Sequence, residues 1–325
     1  MRRRDFVRTV AYSSIALPLR AFAQQPAGKV WRVGYLYPGN LDNPADRAAL
    51  NLFSSELARL GFAEGTNVLI DTRFAKGKPG TLDALAKDIV DARPDAIVAI
   101  ATPAIAAAQK ATSAIPIVMM PATDPIGSGF VKSLARPGGN ITGMANMYGD
   151  SVPKDIELLH SLLPTANRLA ILGSSNPTHP EQREIAIKAA KTLGFTTLPV
   201  MAPNQDELEQ AFARMSAENC DTLFVLADPV RPPIVQLAAR EKIPAMYQFG
   251  GYVDLGGFAS YGAEFNAILR KGAEYIARIF KGANPAETPV EQPVVFEFAI
   301  NLNTAKELGV SVPEGILARA DRLIE

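Results

Sequence analysis

The stretch Asp95-Ala-Ile-Val-Ala-Ile-Ala-Thr-Pro103 decides the fold, because an apolar strand in it leads directly into the start of a helix. A second copy of the pattern stands at Asp221-Thr-Leu-Phe-Val-Leu-Ala-Asp-Pro229. Each copy is followed by a helical segment and then by an Ile-Pro pair, at 115–116 and 243–244. Continuous apolar strands that alternate with helices are typical of parallel sheets covered on both faces. The repetition therefore predicts two similar α/β lobes.

The rest of the chain extends this alternation from residue 30 onward. The predicted strands are Trp31–Leu36, Val68–Arg73, Ala96–Ile100, Ile117–Met120, Leu169–Leu172, Thr196–Val200 and Thr222–Leu226. Amphipathic helices are predicted at 45–60, 82–92, 155–163, 184–193 and 208–217. A further strand at 141–147 is expected to cross into the second lobe. The fold class is therefore α/β, with two doubly wound Rossmann-like lobes.

Composition excludes several classes of protein. The chain has 325 residues, 48% of them hydrophobic, and equal numbers of basic and acidic residues, 33 of each, which suits a globular protein of two domains. Cys220 alone cannot form an internal disulfide, and with only His160 and His179 it cannot complete a zinc site. No dinucleotide-binding, P-loop or nucleophile-elbow motif is present. We therefore expect no cofactor, and the shortage of Cys and His ligands leads us to expect no metal. We interpret both histidines as surface or capping residues and Cys220 as a buried small hydrophobe.

Residues 1–23 resemble a cleaved export signal. Arg2, Arg3 and Arg4 precede a short apolar stretch and an Ala21-Phe22-Ala23 cleavage pattern. The arginines also resemble a twin-arginine signal, with Sec export as the alternative. Without this segment the chain has 28 basic and 32 acidic residues, which disfavours nucleic acid as a partner. We expect an exported, periplasmic protein with no lipid anchor and no transmembrane segment.

Ligands of open parallel sheets bind beyond the carboxyl ends of the strands. Thr102, Pro103 and Ala104 follow one such strand. With Thr102 as the N-cap and Pro103 at the first helical position, the hydroxyl and the free N–H groups of Ala104 and Ile105 would bind a carboxylate. Plain helix capping explains the same residues.

Two aspartates also follow predicted strands. Asp228 stands at the equivalent place in the second lobe, where its carboxylate either binds a ligand ammonium or hydroxyl group or simply caps a helix. Asp124 follows the strand at 117–120, and we interpret it as part of a third turn at a strand end.

Loops and aromatic residues complete the candidate ligand site. Tyr37 follows the first strand, and Ser174 and Asn176 follow the strand at 169–172, both within turn sequences. Aromatic residues near a glycine-rich stretch would either line the cleft or belong to the core. These aromatic candidates are Tyr247, Phe249 and Tyr252.

The chain resembles a known family in ten segments that occur in order. They are Val33-Gly-Tyr-Leu, Leu60-Gly-Phe-x-Glu-Gly-x-Asn-Val-x-Ile, Ala101-Thr-Pro-Ala-Ile-Ala-Ala-Ala, Ile115-Pro-Ile-Val, Asp124-Pro, Leu134-Ala-Arg-Pro-Gly-Gly-Asn-Ile-Thr-Gly, Asp228-Pro, Ser260-Tyr-Gly, Pro289-Val-Glu-Gln-Pro and Ile300-Asn-Leu-Asn-Thr-Ala-Lys-x-Leu-Gly. Together they resemble the ABC transporter substrate-binding proteins of the tryptophan-binding-like family, over about 30–325.

This resemblance implies a periplasmic binding protein-like type I fold with a three-segment hinge. Lobe 1 would hold 30–145 and about 263–290, and lobe 2 would hold 146–262 and about 291–325. The implied function is a monomeric receptor that closes on a small organic carboxylate, an amino acid or an aromatic or branched acid, and delivers it to an ABC permease. An exported sensor domain is the alternative, and an exported enzyme on the same scaffold is a weaker one. The loops after Asp228 and around Gln248 depart from the family pattern, and ligand identity depends on them.

Overall fold

The computed structural model describes residues 29–228 and 231–325. The expected export signal and Pro229 lie outside the described residues. In chain order the main elements are β1 (Trp31–Tyr37), α1 (Pro44–Arg59), β2 (Val68–Phe74), α2 (Leu82–Asp91), β3 (Ala96–Ala99), α3 (Thr102–Ala111), β4 (Ile117–Ala122), β5 (Ile141–Ala145), α4 (Tyr148–Leu162), β6 (Arg168–Gly173), α5 (His179–Thr192), β7 (Thr196–Met201), α6 (Leu208–Ala217), β8 (Thr222–Val225), α7 (Pro232–Arg240), β9 (Ala245–Tyr247), α8 (Gly251–Asp254), β10 (Ala259–Ala263), α9 (Phe265–Phe280), β11 (Phe296–Asn301), α10 (Leu302–Glu307), α11 (Glu314–Leu317) and β12 (Arg322–Ile324).

The first sheet contains five parallel strands in the order β2-β1-β3-β4-β5. Helices α1 and α9 cover one face and helices α2 and α3 cover the other. We call this sheet with its helices lobe 1. Gly272 lets α9 approach the sheet closely, because a Cβ at this position would lie 1.5 Å from the sulfur of Met120 on β4.

The second sheet contains seven strands in the order β12-β11-β10-β9-β8-β6-β7. All neighbouring pairs are parallel except β10 with β11. Helices α6 and α7 cover one face, and α4 and α5 cover the other. We call this sheet with its helices lobe 2. The expected class, two doubly wound α/β lobes, is confirmed.

The chain passes between the two lobes three times. The first passage runs from β5 to α4, the second from β10 to α9, and the third from Glu291 to β11. Glu291 still belongs to the first sheet, because it pairs with Met144 of β5. The three passages bring the carboxyl ends of both sheets to face each other across one cleft.

The predicted elements agree with the structure where the apolar pattern is long. All seven predicted strands are present, and Cys220 is buried as expected. Strands β9 to β12 were not predicted from the sequence, and two of them, β9 and β12, have only three residues each. The predicted starts of α4 and α5, at 155 and 184, are too late, because α4 begins at Tyr148 and contains Pro153, and α5 begins at His179 with Pro180 in its first turn. In the two described ranges, no helix combines the length and apolar character needed to span a lipid bilayer.

Candidate functional site

A cavity lies between the two lobes at the carboxyl ends of their strands. The space between its lining residues is about 460 Å³ and includes a part that is open to solvent. We call it the inner cavity. Lobe 1, lobe 2 and the passages between them all contribute to its lining, which consists of Tyr37, Ile100, Ala101, Thr102, Pro121, Thr123, Asn146, Tyr148, Asn176, Ala227, Asp228, Phe249 and Phe265.

Lobe 1 contributes a chain of neutral polar groups to this cavity. The Thr102 hydroxyl accepts a hydrogen bond from the N–H of Thr123 over 3.1 Å. The Thr123 hydroxyl accepts one from the Asn146 amide nitrogen over 2.9 Å. Because each hydroxyl oxygen accepts a bond here, each hydroxyl hydrogen is free to donate to a ligand acceptor.

The start of α3 differs from the sequence prediction. Ala101, with a φ of 67°, is the N-cap residue, so Thr102 is already the first residue of the helix. The N–H groups of Ala104 and Ile105 are not free, because both bind the carbonyl oxygen of Ala101, over 3.1 and 3.2 Å. Ala104 is fully buried and lies outside the cavity lining. Of the proposed carboxylate site, only Thr102 lines the inner cavity.

Aromatic rings form much of the cavity wall. They are Tyr37 from β1, Tyr148 from the start of α4, Phe249 after β9, and Phe265 at the start of α9. Phe249 and Phe265 meet edge to face, with ring centroids 4.9 Å apart. The Tyr37 hydroxyl donates to the Asp46 carboxylate over 3.1 Å, and burial with this carboxylate raises the pKa of Tyr37 well above its usual value. Tyr37 therefore stays protonated and neutral.

Lobe 2 contributes a charged group. The Asp228 side chain is 11% exposed, and among the described residues its carboxylate accepts no hydrogen bond; its one ion-pair partner is Arg231, at 3.9 Å. Asn176 lies beside it, with its amide oxygen accepting from Thr178 over 3.0 Å. The Asn176 amide nitrogen has no hydrogen-bond partner in the described chain. Both side chains are therefore able to bind a ligand.

Other predicted residues line a larger cleft outside the inner cavity. It is lined on one side by the loops after β1 and β2 and the start of α3, and on the other by the loops after β6, β7 and β8. Pro103 and Ser174 line it, while Asn176 and Asp228 border both spaces. We call this space the outer cleft. The two spaces therefore adjoin each other at Asn176 and Asp228.

Three further predicted residues, in addition to Pro103, Ala104 and Ser174, do not line the inner cavity. Tyr247 and Tyr252 stack on each other in the core of lobe 2, with centroids 4.5 Å apart, and are almost fully buried. Their ring faces pack against one another, so neither lines the cavity. Asp124 is exposed on another side of the inter-lobe gap, where it accepts a hydrogen bond from the N–H of Gly127 within its own turn.

Sequence reasoning missed several lining residues. Thr123 and Ala227 each directly precede an aspartate that was predicted as a site residue. Asn146 and Tyr148 come just after the end of the crossing strand β5. Their positions next to strand ends could have identified all four residues. Phe265 had no such signal, because α9 returns to lobe 1 from a distant part of the chain.

The interpretation of His179 was wrong. The side chain is 1% exposed and stands at the start of α5, where it binds the loops after β6 and β8. His160 is half-buried against Phe195. Within 29–228 and 231–325, no three His, Cys, Asp or Glu side chains come together in a group able to hold a metal ion.

Comparisons with known proteins agree on one class. The family model of the ABC transporter substrate binding protein matches residues 40–324. A tyrosine-binding protein of Clostridioides difficile is 30% identical over 273 residues, which cover 82% of this chain and 78% of that protein. The chain therefore belongs to the ABC transporter substrate-binding protein family. Such proteins bind small molecules and work with an ABC transporter, and neither the family nor the relatives described here are enzymes.

Two solved structures resemble the chain over nearly their whole length. The first is an ABC domain from Streptococcus pneumoniae in complex with L-Trp, at 28% identity and a TM-score of 0.82, covering 90% of this chain and 99% of that one. The second is the ligand-free, open structure of a substrate binding protein with adhesive properties from Clostridium difficile, at 26% identity. Its TM-score is 0.61, and the match covers 91% of this chain and 99% of that one.

Proposed function

We propose that this protein is the periplasmic receptor of an ABC importer and that it closes on a free amino acid with an aromatic side chain. The observation that carries this proposal is the Asp228 carboxylate, which is 11% exposed, accepts no hydrogen bond from the described residues and lies at the edge of a cavity walled by aromatic rings. A buried carboxylate needs hydrogen-bond donors, and Arg231, at 3.9 Å, is too distant to donate one. The ammonium group of an amino acid supplies such donors.

The remaining groups suit the other parts of such a ligand. The hydroxyl hydrogens of Thr102 and Thr123 would donate to the ligand carboxylate, and the Asn176 amide nitrogen would donate to the same group or to a ligand hydroxyl. The ligand ring would pack among Tyr148, Phe249 and the other aromatic walls, where offset or edge-to-face contacts are favourable. The two relatives named for tyrosine and tryptophan support this ligand class.

Closure on the ligand follows from contacts to both lobes. A ligand that bridges lobe 1 and lobe 2 binds the closed form better than the open form and shifts the population toward it. The higher TM-score with the L-Trp complex than with the open, ligand-free relative supports a closed arrangement of lobes here. We place the hinge at the three passages, near 146–147, at 264 and at 292–295.

Location and partners are part of the same proposal. Residues 1–23 would direct export, by the twin-arginine or the Sec route, and would then be removed. The mature protein would act as a monomer and present its ligand to a permease in the inner membrane. Substrate-binding proteins of ABC transporters are typically extracytoplasmic, which supports this location.

A titration series tests the ligand class. Isothermal titration calorimetry of the mature chain would use L-tyrosine, L-tryptophan, L-phenylalanine and L-leucine, with tyramine and 3-(4-hydroxyphenyl)propionate as controls that lack the carboxylate or the ammonium group. We expect at least one aromatic amino acid to bind and both truncated controls to bind roughly tenfold or more weakly. Equal affinity for 3-(4-hydroxyphenyl)propionate and tyrosine, or no binding by any amino acid, would overturn the proposal.

A further inference from the structure

Ala227 lies beside Asp228, and side chains bind both of its backbone polar groups. Its N–H donates to the Gln248 amide oxygen over 2.9 Å, and its carbonyl oxygen lies 2.9 Å from Nε2 of His179. Both side chains are 1% exposed. The peptide that leads into Asp228 is therefore held from two sides by buried groups.

His179 also holds a second loop of the ligand site. Its Nδ1 accepts a hydrogen bond from the N–H of Ser174 over 2.8 Å. The Ser174 hydroxyl in turn accepts from the N–H of Asn176 over 3.1 Å. One imidazole ring thus joins the loop that carries Asn176 to the loop that carries Asp228, and both of these residues line the inner cavity.

These contacts fit one protonation state of the ring. Because Nδ1 accepts a hydrogen bond from a backbone N–H, it carries no proton, and Nε2 must therefore carry the proton that it donates to the Ala227 carbonyl. A second proton would have to go on Nδ1, where it would face the N–H of Ser174 at 2.8 Å, with the Ser174 hydroxyl oxygen 3.4 Å away. Protonation would break the bond to that N–H, and the loop would have to rearrange for the hydroxyl to accept instead.

We propose that His179 is a positioning residue whose neutral, Nε2-protonated form holds both lobe 2 loops of the ligand site, so that acid weakens ligand binding. The ligand class used here rests on the proposed function. The contacts of His179 do not depend on it, because they join the protein to itself.

The surroundings of the ring agree with this role. Burial lowers the pKa of His179, the Asp228 carboxylate raises it, and the Arg231 guanidinium lowers it. The elements packed against α5 also carry ionisable groups, none of which contributes to this shift: Asp150, Lys154, Asp155, Glu157 and His160 on α4 and Arg168 on β6. A ligand ammonium at Asp228 would offset the one carboxylate that favours a protonated ring. By linkage, ring protonation must then weaken binding of that ligand.

The first experiment measures the dissociation constant of L-tyrosine between pH 7.5 and 4.5. Because burial lowers the pKa of His179 below its usual value, we expect the wild-type affinity to be constant near pH 7 and to fall toward the acid end of this range, by at most about tenfold per pH unit, as for uptake of a single proton. His179→Asn and His179→Gln have no titratable ring, so their weaker affinities should be nearly constant with pH. His160→Gln, which removes the other histidine, should keep the wild-type dependence. A flat wild-type profile, or an unchanged slope in both His179 variants, overturns the proposal.

The second experiment needs no ligand. In His160→Gln, His179 is the one remaining histidine of the chain, so ¹⁵N NMR of the imidazole reports it alone. We expect the neutral ring to carry its proton on Nε2, and hydrogen exchange of the Ser174 amide to accelerate as the ring is protonated. The positioning role is refuted if the neutral ring carries its proton on Nδ1. It is also refuted if the hydrogen-exchange rate of the Ser174 amide does not change when the ring is protonated. Failure of every amino acid to bind would refute the proposed function and leave this measurement valid.

Discussion

The two lobes contribute different chemistry to one cavity. Lobe 1 presents neutral hydroxyl and amide groups, at Thr102, Thr123 and Asn146, that already bind one another. Lobe 2 presents Asp228, a charged group with no hydrogen bond in the described structure, fixed from behind by His179 and Gln248. Neutral groups that already bind one another discriminate between ligands mainly by shape, whereas a nearly buried carboxylate that lacks a hydrogen bond discriminates by charge. We therefore expect lobe 2 to supply most of the polar binding free energy.

The largest expected effect is the loss of the charge in lobe 2. Asp228→Asn keeps the shape of the side chain and removes its charge, so aromatic amino acids should bind about 10- to 100-fold more weakly, or ~1.5–3 kcal/mol. Calorimetry measures this change. Asp254→Asn is the control, because Asp254 is a half-exposed partner of Arg322 away from the inner cavity. An unchanged affinity in Asp228→Asn would show that the two lobes do not differ in this way.

The next effect concerns the aromatic wall of lobe 2. Phe249→Ala removes a ring that faces the cavity and should weaken binding about tenfold, since burial of an aromatic side chain contributes roughly 1.5–3 kcal/mol. Calorimetry measures it against Phe62→Ala. Phe62 packs on Trp31 and Phe280 at the amino ends of the lobe 1 strands. That control should lose stability and keep its affinity; equal affinity losses in both variants would contradict the assignment.

A smaller effect is expected from the neutral surface of lobe 1. Thr102→Val removes the hydroxyl that accepts from Thr123 and should weaken amino acid binding about three- to tenfold, or ~1 kcal/mol. Thr102→Ser keeps the hydroxyl and should retain most of the affinity in the same titration. If the valine variant loses more affinity than Asp228→Asn, lobe 1 rather than lobe 2 dominates the polar recognition.

The smallest effect concerns a buried carboxylate behind the site in lobe 2. Burial raises the pKa of Asp155 well above its usual value, although Ser151 and Gln248 donate hydrogen bonds to it. The folded state therefore favours the protonated form, and the stability that this form provides is lost as the pH rises through the raised pKa. Asp155→Asn should raise the unfolding midpoint by about 2 °C at pH 8 and by less at pH 5.

Differential scanning calorimetry at the two pH values measures this difference. The matched control is Asp150→Asn, an exposed residue of the same helix, which should show no such dependence. An Asp155→Asn variant that is less stable at pH 8 than at pH 5, relative to wild type, would contradict the stated direction.

The sequence predicted the fold well where strands are long and fully apolar. Ala96–Ala99 and Thr222–Val225 are central strands buried on both faces, so their composition alone identifies them. The strands Ala245–Tyr247 and Arg322–Ile324 have three residues each, too few for a pattern to be distinguished from a loop. Their pairing depends on the neighbouring strands and not on their own residues.

The candidate site was predicted in part. Asp228 and Asn176 lie at the cavity as expected from their places at strand ends, whereas Tyr247 and Tyr252 stack inside lobe 2. Strand ends are marked in the sequence, but the direction of a side chain within a short strand or turn is not. The role of each residue in ligand binding remains the proposal that the titrations test.

The sequence by itself determined the α/β class, the two-lobe repeat and the loops in which a ligand site had to lie. It did so because hydrophobic periodicity and strand-end residues are local properties. Only the tertiary structure decided which groups meet: Phe265 reaches the cavity on a helix that returns to lobe 1, and His179 binds two loops from a helix start that resembled a surface turn. These contacts join residues distant in sequence, and packing alone brings them together.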